Sequence, residues 1–92
     1  MIERTARVAS IHGLHSRPAS LFTRAARDSG LGITVAKGEK SANAASILGV
    51  LSLGVGCGEE VTLSAEGDGA EAVLDSLVAL LATPDDSEGH DD

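Results

Sequence analysis

The sequence predicts an α+β domain built as an open-faced sandwich, a single sheet covered on one side by helices. Three observations predict it. Strand-like and helix-like stretches follow the order βαββαβα, so strands are separated by helices and only the second and third are joined as a hairpin. Glu60 to Glu66 alternates cleanly, with Val61, Leu63 and Ala65 set against polar neighbours, as a half-buried strand does. The stretch from Gly69 to Leu81 carries the most regular helical stripe in the chain, Val73, Leu74, Leu77, Leu80 and Leu81.

Each element has its own warrant. Ile2 to Ala9 places Ile2, Ala6 and Val8 on one side and Glu3, Thr5 and Arg7 on the other, which reads as a first strand. Arg4 falls on the apolar side, so this strand is either an edge or starts later. The first helix is expected over about 16–28. Pro18 fits its first turn, where a missing N–H costs nothing, and Gly30 fits its stop. Its inward stripe is expected to be Pro18, Leu21 or Phe22, Ala25 and Ser29. Ile33 and Val35 alternate with Thr34 and Ala36 in a second strand, and Gly38-Glu39 turns the chain into a short third one, Lys40 to Asn43. Ser46 suits the N-cap of a short helix over about 47–53. That helix holds Ile47, Leu48, Val50, Leu51 and Leu53, more apolar residues than one face can bury. Leu48 and Leu51 are therefore expected to be exposed, with Gly49 allowing close approach. Gly54 to Gly58 lacks the Lys-Ser/Thr of a phosphate loop and reads as a flexible connection. Asp68 with Glu71 suggests an acidic capping box for the last helix, and Thr83-Pro84 ends it. Residues 1–83 are thus read as the domain and 84–92 as an acidic, disordered tail.

Composition narrows the function. Ninety-two residues make one domain with a core of its own, and with Phe22 the only aromatic that core is Ala, Val, Leu and Ile. A lone Cys57 excludes an internal disulfide and fits a reducing compartment. The first residues lack the regions of a signal peptide, and no apolar run is long enough to span a bilayer, so a cytoplasmic protein without membrane insertion is expected. The net charge of −7 argues against nucleic acid. The charge is unevenly spread: residues 1–40 hold seven Lys and Arg against three acids, and the rest holds eleven acids with no Lys or Arg. Arg17, Arg24 and Arg27 share the first helix, either as a solvated face or as a patch that docks acidic partners.

The chemistry concentrates in Gly13-Leu14-His15-Ser16-Arg17-Pro18-Ala19. His15 is expected at or beside the N-cap of the first helix. The amides of Ser16 and Arg17 there offer an anion-binding end. Arg17 can fork onto phosphate oxygens. The helix end and Arg17 disfavour a second positive charge and keep the imidazole lone pair available. These features suit a phosphoryl acceptor, although taken alone they also describe an ordinary surface histidine, the commoner case. His12 reads as an exposed loop residue, and His12, His15, His90 and Cys57 show no metal-ligand spacing.

The segment from Gly13 to Ala19 resembles the G-[LI]-H-[AST]-R-P-[AS] signature of HPr, the histidine-containing phosphocarrier of the bacterial sugar phosphotransferase system. Ala45-Ser46-Ile47-Leu48-Gly49-Val50-Leu51-Ser52-Leu53-Gly54 resembles the family's serine motif in register with it. The resemblance covers roughly residues 1–82. It implies four antiparallel strands with three helices on one face. It also implies a monomeric carrier rather than a turnover enzyme, needing no cofactor or metal. His15 would take phosphate on Nδ1 from enzyme I, with Arg17 and the Ser16 and Arg17 amides holding the phosphate, and pass it to enzyme IIA domains. Partners would dock on Ser20, Leu21, Arg24, Arg27, Ile47, Leu48 and Leu51. Ser46 would be either a cap alone or also a regulatory site for a serine kinase and phosphatase, with a transcriptional regulator as a further partner. Against the regulatory role, Ala45 replaces the basic residue that often precedes this serine, and Asn43-Ala44-Ala45 is atypical of the kinase-regulated forms. The alternative is a nitrogen-branch, glycerone-branch or regulatory relative acting as an adaptor. A histidine-based hydrolase would need a carboxylate near His15, and none is evident.

Overall fold

The computed structural model describes residues 1–9 and 16–83, without the side chains of 16–18. The element order is β1 (Ile2–Arg7), α1 (Ser16–Asp28), β2 (Ile33–Lys37), β3 (Lys40–Asn43), α2 (Ile47–Ser52), β4 (Glu60–Ala65) and α3 (Ala70–Ala82). This is the expected βαββαβα order. The expected loop from Ser10 to Gly13 and the acidic tail lie outside the described residues.

The four strands form one antiparallel sheet in the order β1-β4-β2-β3. β4, last in sequence, is central. It pairs with β1 from Ile2↔Ala65 to Arg7↔Glu60, and with β2 from Ile33↔Ala65 to Ala36↔Thr62. β1 is therefore an edge strand. Arg4 on its inward side does not reach the core; its guanidinium pairs with Asp75 of α3 at 3.0 Å.

The register sorts side chains onto two faces. Ala6, Val61, Leu63, Ala65, Ile33 and Val35 face the helices and are buried. Glu3, Ser64, Thr34 and Asn43 form one row across the other face, and Thr5, Thr62, Ala36 and Ser41 the next. Apart from the small Ala36 these side chains are polar or charged and leave that face little apolar surface to cover, so the three helices lie on the opposite one.

α1 turns a different stripe inward from the expected one. Ala19, Phe22, Thr23 and Ala26 are buried, whereas Ala25 and Ser29 are only half-buried and Leu21 is 52% exposed. The small Ala19 and Ala26 let the helix approach closely and leave room for Phe22, the largest buried side chain. The Thr23 hydroxyl is satisfied by donating to the Ser20 carbonyl at 3.1 Å. α1 stops at Gly30, whose φ of 76° suits the left-handed position after a helix.

The expected capping box of α3 does not form. Its N-cap is Gly69, at φ 82°, with no side-chain cap hydrogen bond. The glycine places the turn one residue past Asp68, out of the box register. Glu71 still lies in the first turn, where a carboxylate favours the helix dipole. The inward stripe is close to expectation: Ala70, Leu74, Leu77 and Leu81 are buried, with Val73 and Leu80 at its margins.

Candidate functional site

Ser16 is the first residue of α1, so the helix begins immediately after His15 in the chain. No acidic residue occupies that first turn. His15 itself, His12 and the Arg17 side chain lie outside the described residues. The chain entering the segment is firmly held. The Val8 N–H donates to the Glu59 carbonyl at 3.0 Å, the Gly58 N–H donates to the Val8 carbonyl at 2.8 Å, and the Ala9 N–H donates to the Leu81 carbonyl in the last turn of α3 at 3.0 Å. Both stretches flanking 10–15 thus belong to regular or hydrogen-bonded structure.

The glycine-rich loop after α2 takes part in this support. It was expected to be a flexible connection, but the structure ties it at several points. Val55 is buried. Lys37 at the end of β2 donates to the Gly54 carbonyl at 2.8 Å and pairs with Glu59 Oε1 at 2.8 Å. The same Glu59 oxygen accepts from the Gly56 N–H at 2.7 Å. The hydrogen bond from Lys37, then that from Gly56, hold the Glu59 carboxyl below its ordinary value. Sequence reading missed this cluster because its members are far apart in the chain. Cys57 in the loop is exposed.

α2 packs against α1 and β3. Ser46 is its N-cap, and the hydroxyl accepts from the Gly49 N–H at 3.1 Å. Leu48 is 78% exposed, as expected. Leu51 is not: it lies one turn on from half-buried Ile47, on the same face, and is itself half-buried against the core. Ile47 is also half-buried. Gly49 allows the close approach expected of it, since a Cβ there would lie 3.1 Å from Ala42 Cβ of β3. The packed pair α1 and α2 therefore presents exposed Leu21, Arg24, Arg27 and Leu48, with Ser20 half-buried beside them. These exposed side chains mix apolar and cationic groups. Among the described residues no group of three His, Cys, Asp or Glu could hold a metal ion, and no helix is long and apolar enough to cross a membrane.

Residues 2–83 match the PTS-HPr family model, described as the PTS HPr component phosphorylation site. The phosphocarrier protein HPr of Streptomyces coelicolor is 49% identical over 83 residues, which is 89% of each chain. The phosphocarrier protein NPr of Shewanella violacea is 40% identical over 80 residues, 87% of this chain and 88% of that one. The crystal structure of an HPr from Bacillus anthracis superimposes with a TM-score of 0.83 at 36% identity, covering 87% of this chain and 95% of the other. Fold, motif register and relatives agree, and the chain belongs to the HPr family of phosphocarrier proteins.

Proposed function

We propose that residues 1–83 form a cytoplasmic carrier domain that takes a phosphoryl group on His15 from phospho-enzyme I and hands it to the enzyme IIA domains of sugar permeases. The observation that carries the reading is the start of α1 at Ser16, directly after the histidine of the family motif. The lone pair of His15 Nδ1 attacks the donor phosphorus. The new P–N bond forms as the bond to the donor breaks, and the transfer to enzyme IIA repeats the step in the other direction of flow. Phosphoryl transfer of this kind needs positioning and charge neutralisation more than covalent help from the protein. Arg17 and the Ser16 and Arg17 amides supply both at a helix end free of acidic residues. The protein is then regenerated by each transfer and needs no cofactor or metal of its own.

Partners dock on Ser20, Leu21, Arg24, Arg27, Ile47, Leu48 and Leu51. Exposed Leu21 and Leu48 support this surface. Ser46 is either the cap of α2 alone or also the regulatory point of this surface. A phosphoryl group there would sit at a helix start, where it is locally favoured, and would place negative charge beside the docking residues. Service in a specialised branch is the second reading, favoured by the likeness to NPr.

Intact-mass measurement after incubation with enzyme I and phosphoenolpyruvate tests the carrier role. Wild type should gain one acid-labile phosphoryl group, and His15→Ala none. An unmodified wild type beside a competent enzyme I would overturn the sugar-system role and leave the specialised branch, which a nitrogen-branch enzyme I would then have to charge.

A further inference from the structure

The loop between α2 and β4 has glycine at positions 54, 56 and 58, and Gly54 and Gly58 take φ values of 66° and 84°. So permissive a backbone loses more conformational freedom than any other when it is fixed. Two side chains fix it. Lys37 stands at the end of β2, beside the turn of the β2–β3 hairpin. Its ammonium donates to the Gly54 carbonyl at 2.8 Å and meets Glu59 Oε1 at 2.8 Å. That oxygen also accepts from the Gly56 N–H at 2.7 Å. One ammonium and one carboxylate thus tie both ends and the middle of the loop to the hairpin. The pair is partly exposed, 30% and 47%, and such pairs add little to stability. What these contacts govern is place, because hydrogen bonds from a charged group to the backbone are short and directional.

The other side of the loop holds the chain that leads to His15. The Gly58 N–H donates to the Val8 carbonyl, and the Val8 N–H donates to the Glu59 carbonyl. Arg7 Nη1 donates to the Gly58 carbonyl at 3.0 Å. Both backbone groups of Val8 are therefore engaged by this loop, and its side chain is buried. Ala9 is held by Leu81 of α3, and α1 begins at Ser16. Residues 10–15 join these anchors, and His15 is the last of them. Group transfer is sensitive to place: a displacement of about 1 Å at the reacting atom costs up to about 10²-fold in rate.

We propose that Lys37 and Glu59 are positioning residues for phosphoryl transfer. Through the glycine loop they set where Val8 lies, and so where the segment ending in His15 starts. This rests on the reading of His15 as the acceptor. The role is separate from docking, since neither residue belongs to α1 or α2.

Rapid-quench transfer from phospho-enzyme I, followed against protein concentration, gives a limiting rate and a half-saturating concentration. In Glu59→Gln and in Lys37→Met the limiting rate should fall about fivefold, while the half-saturating concentration stays within about twofold. The double variant should be no slower than either single one. Lys37→Arg, whose guanidinium can make the same two contacts, should keep the wild-type rate. Amide hydrogen exchange is read on the same proteins. Exchange at Val8 and Gly58 should accelerate more than at Leu74 and Leu77 of α3. Faster exchange at Val8 with an unchanged limiting rate overturns the proposal, because the segment is then aimed without the loop. A rise in half-saturating concentration alone overturns it by assigning the loop to docking. Equal acceleration at every amide reduces the pair to general stability and overturns it too. A wild type that takes no phosphoryl group from a competent enzyme I is a different failure, seen before any variant is compared; the carrier reading falls there, and the positioning role with it.

Discussion

Phe22 is the only aromatic residue of the chain and is fully buried between α1 and the sheet. Every other core side chain is Ala, Val, Leu, Ile or Thr, so none can swell to fill its place. Phe22→Ala should cost about 3–5 kcal/mol, a large part of the stability of so small a domain, read as a drop in the denaturation midpoint. Glu59 makes a different kind of prediction. The hydrogen bond from Lys37 holds its folded carboxyl below the ordinary value of 4.5. The fold thus favours the charged form, and the contribution is complete above that value and lost as pH falls through the lower folded one. Glu59→Gln should destabilise the protein at pH 7, and the gap from wild type should close in acid, measured by urea unfolding at both pH values. His15 was legible from its motif. The burial of Phe22 was only half legible from the sequence, because helical spacing left Leu21 and Phe22 as alternatives. The Lys37–Glu59 link was not legible, because its partners are brought together only when β2 and the loop before β4 meet.

Among the elements, α2 is the most sharply specified. Ser46→Ala removes its cap and should cost about 1 kcal/mol, seen in the melting midpoint. Gly49→Ala sets two effects against each other. Alanine gains about 1 kcal/mol of helix propensity over glycine. The new Cβ, however, would lie 3.1 Å from Ala42 Cβ and 3.3 Å from Ser46 Oγ. Overpacking of this kind costs about 1–3 kcal/mol, so the substitution should be net destabilising despite the helix. The existence and order of all seven elements could be read from periodicity and turn residues, and the limits of β3 and α1 fell where Gly38, Gly30 and Pro18 indicated. Helix rotation could not be read so well. In α1 the choice between Leu21 and Phe22 left two stripes open, and buried Ala19, Thr23 and Ala26 carry too little hydrophobicity to decide between them. At α3, Asp68 and Glu71 had the right spacing for a box, but Gly69 between them adopts a backbone that only glycine takes easily, and the cap follows the backbone.

On the scale of the whole molecule, the separation of charge makes association salt-dependent. The basic residues all precede residue 41, and three of them lie on α1, whereas the acids dominate the rest. Binding to an acidic partner should weaken steadily with ionic strength. Leu48 supplies the apolar counterpart. Because it is 78% exposed, Leu48→Asp should leave thermal stability nearly unchanged while weakening enzyme I binding about tenfold, measured by titration calorimetry. The fold class was legible from element order alone. Strand order was not, since nothing in the sequence says which strand lies between which.

That strand order bears on synthesis. The central strand β4 is the last to leave the ribosome, and β1 has no hydrogen-bonded neighbour in the sheet until β4 arrives. A nascent chain that stops before Glu60 holds the local β2–β3 hairpin with α1 and α2 but no partner strand for β1. Most of the pairing is long-range, and such contacts form late because loop closure must come first. The sheet therefore cannot close around its N-terminal strand until β4 is made: β4 alone joins β1 to the β2–β3 hairpin and is the keystone of the sheet.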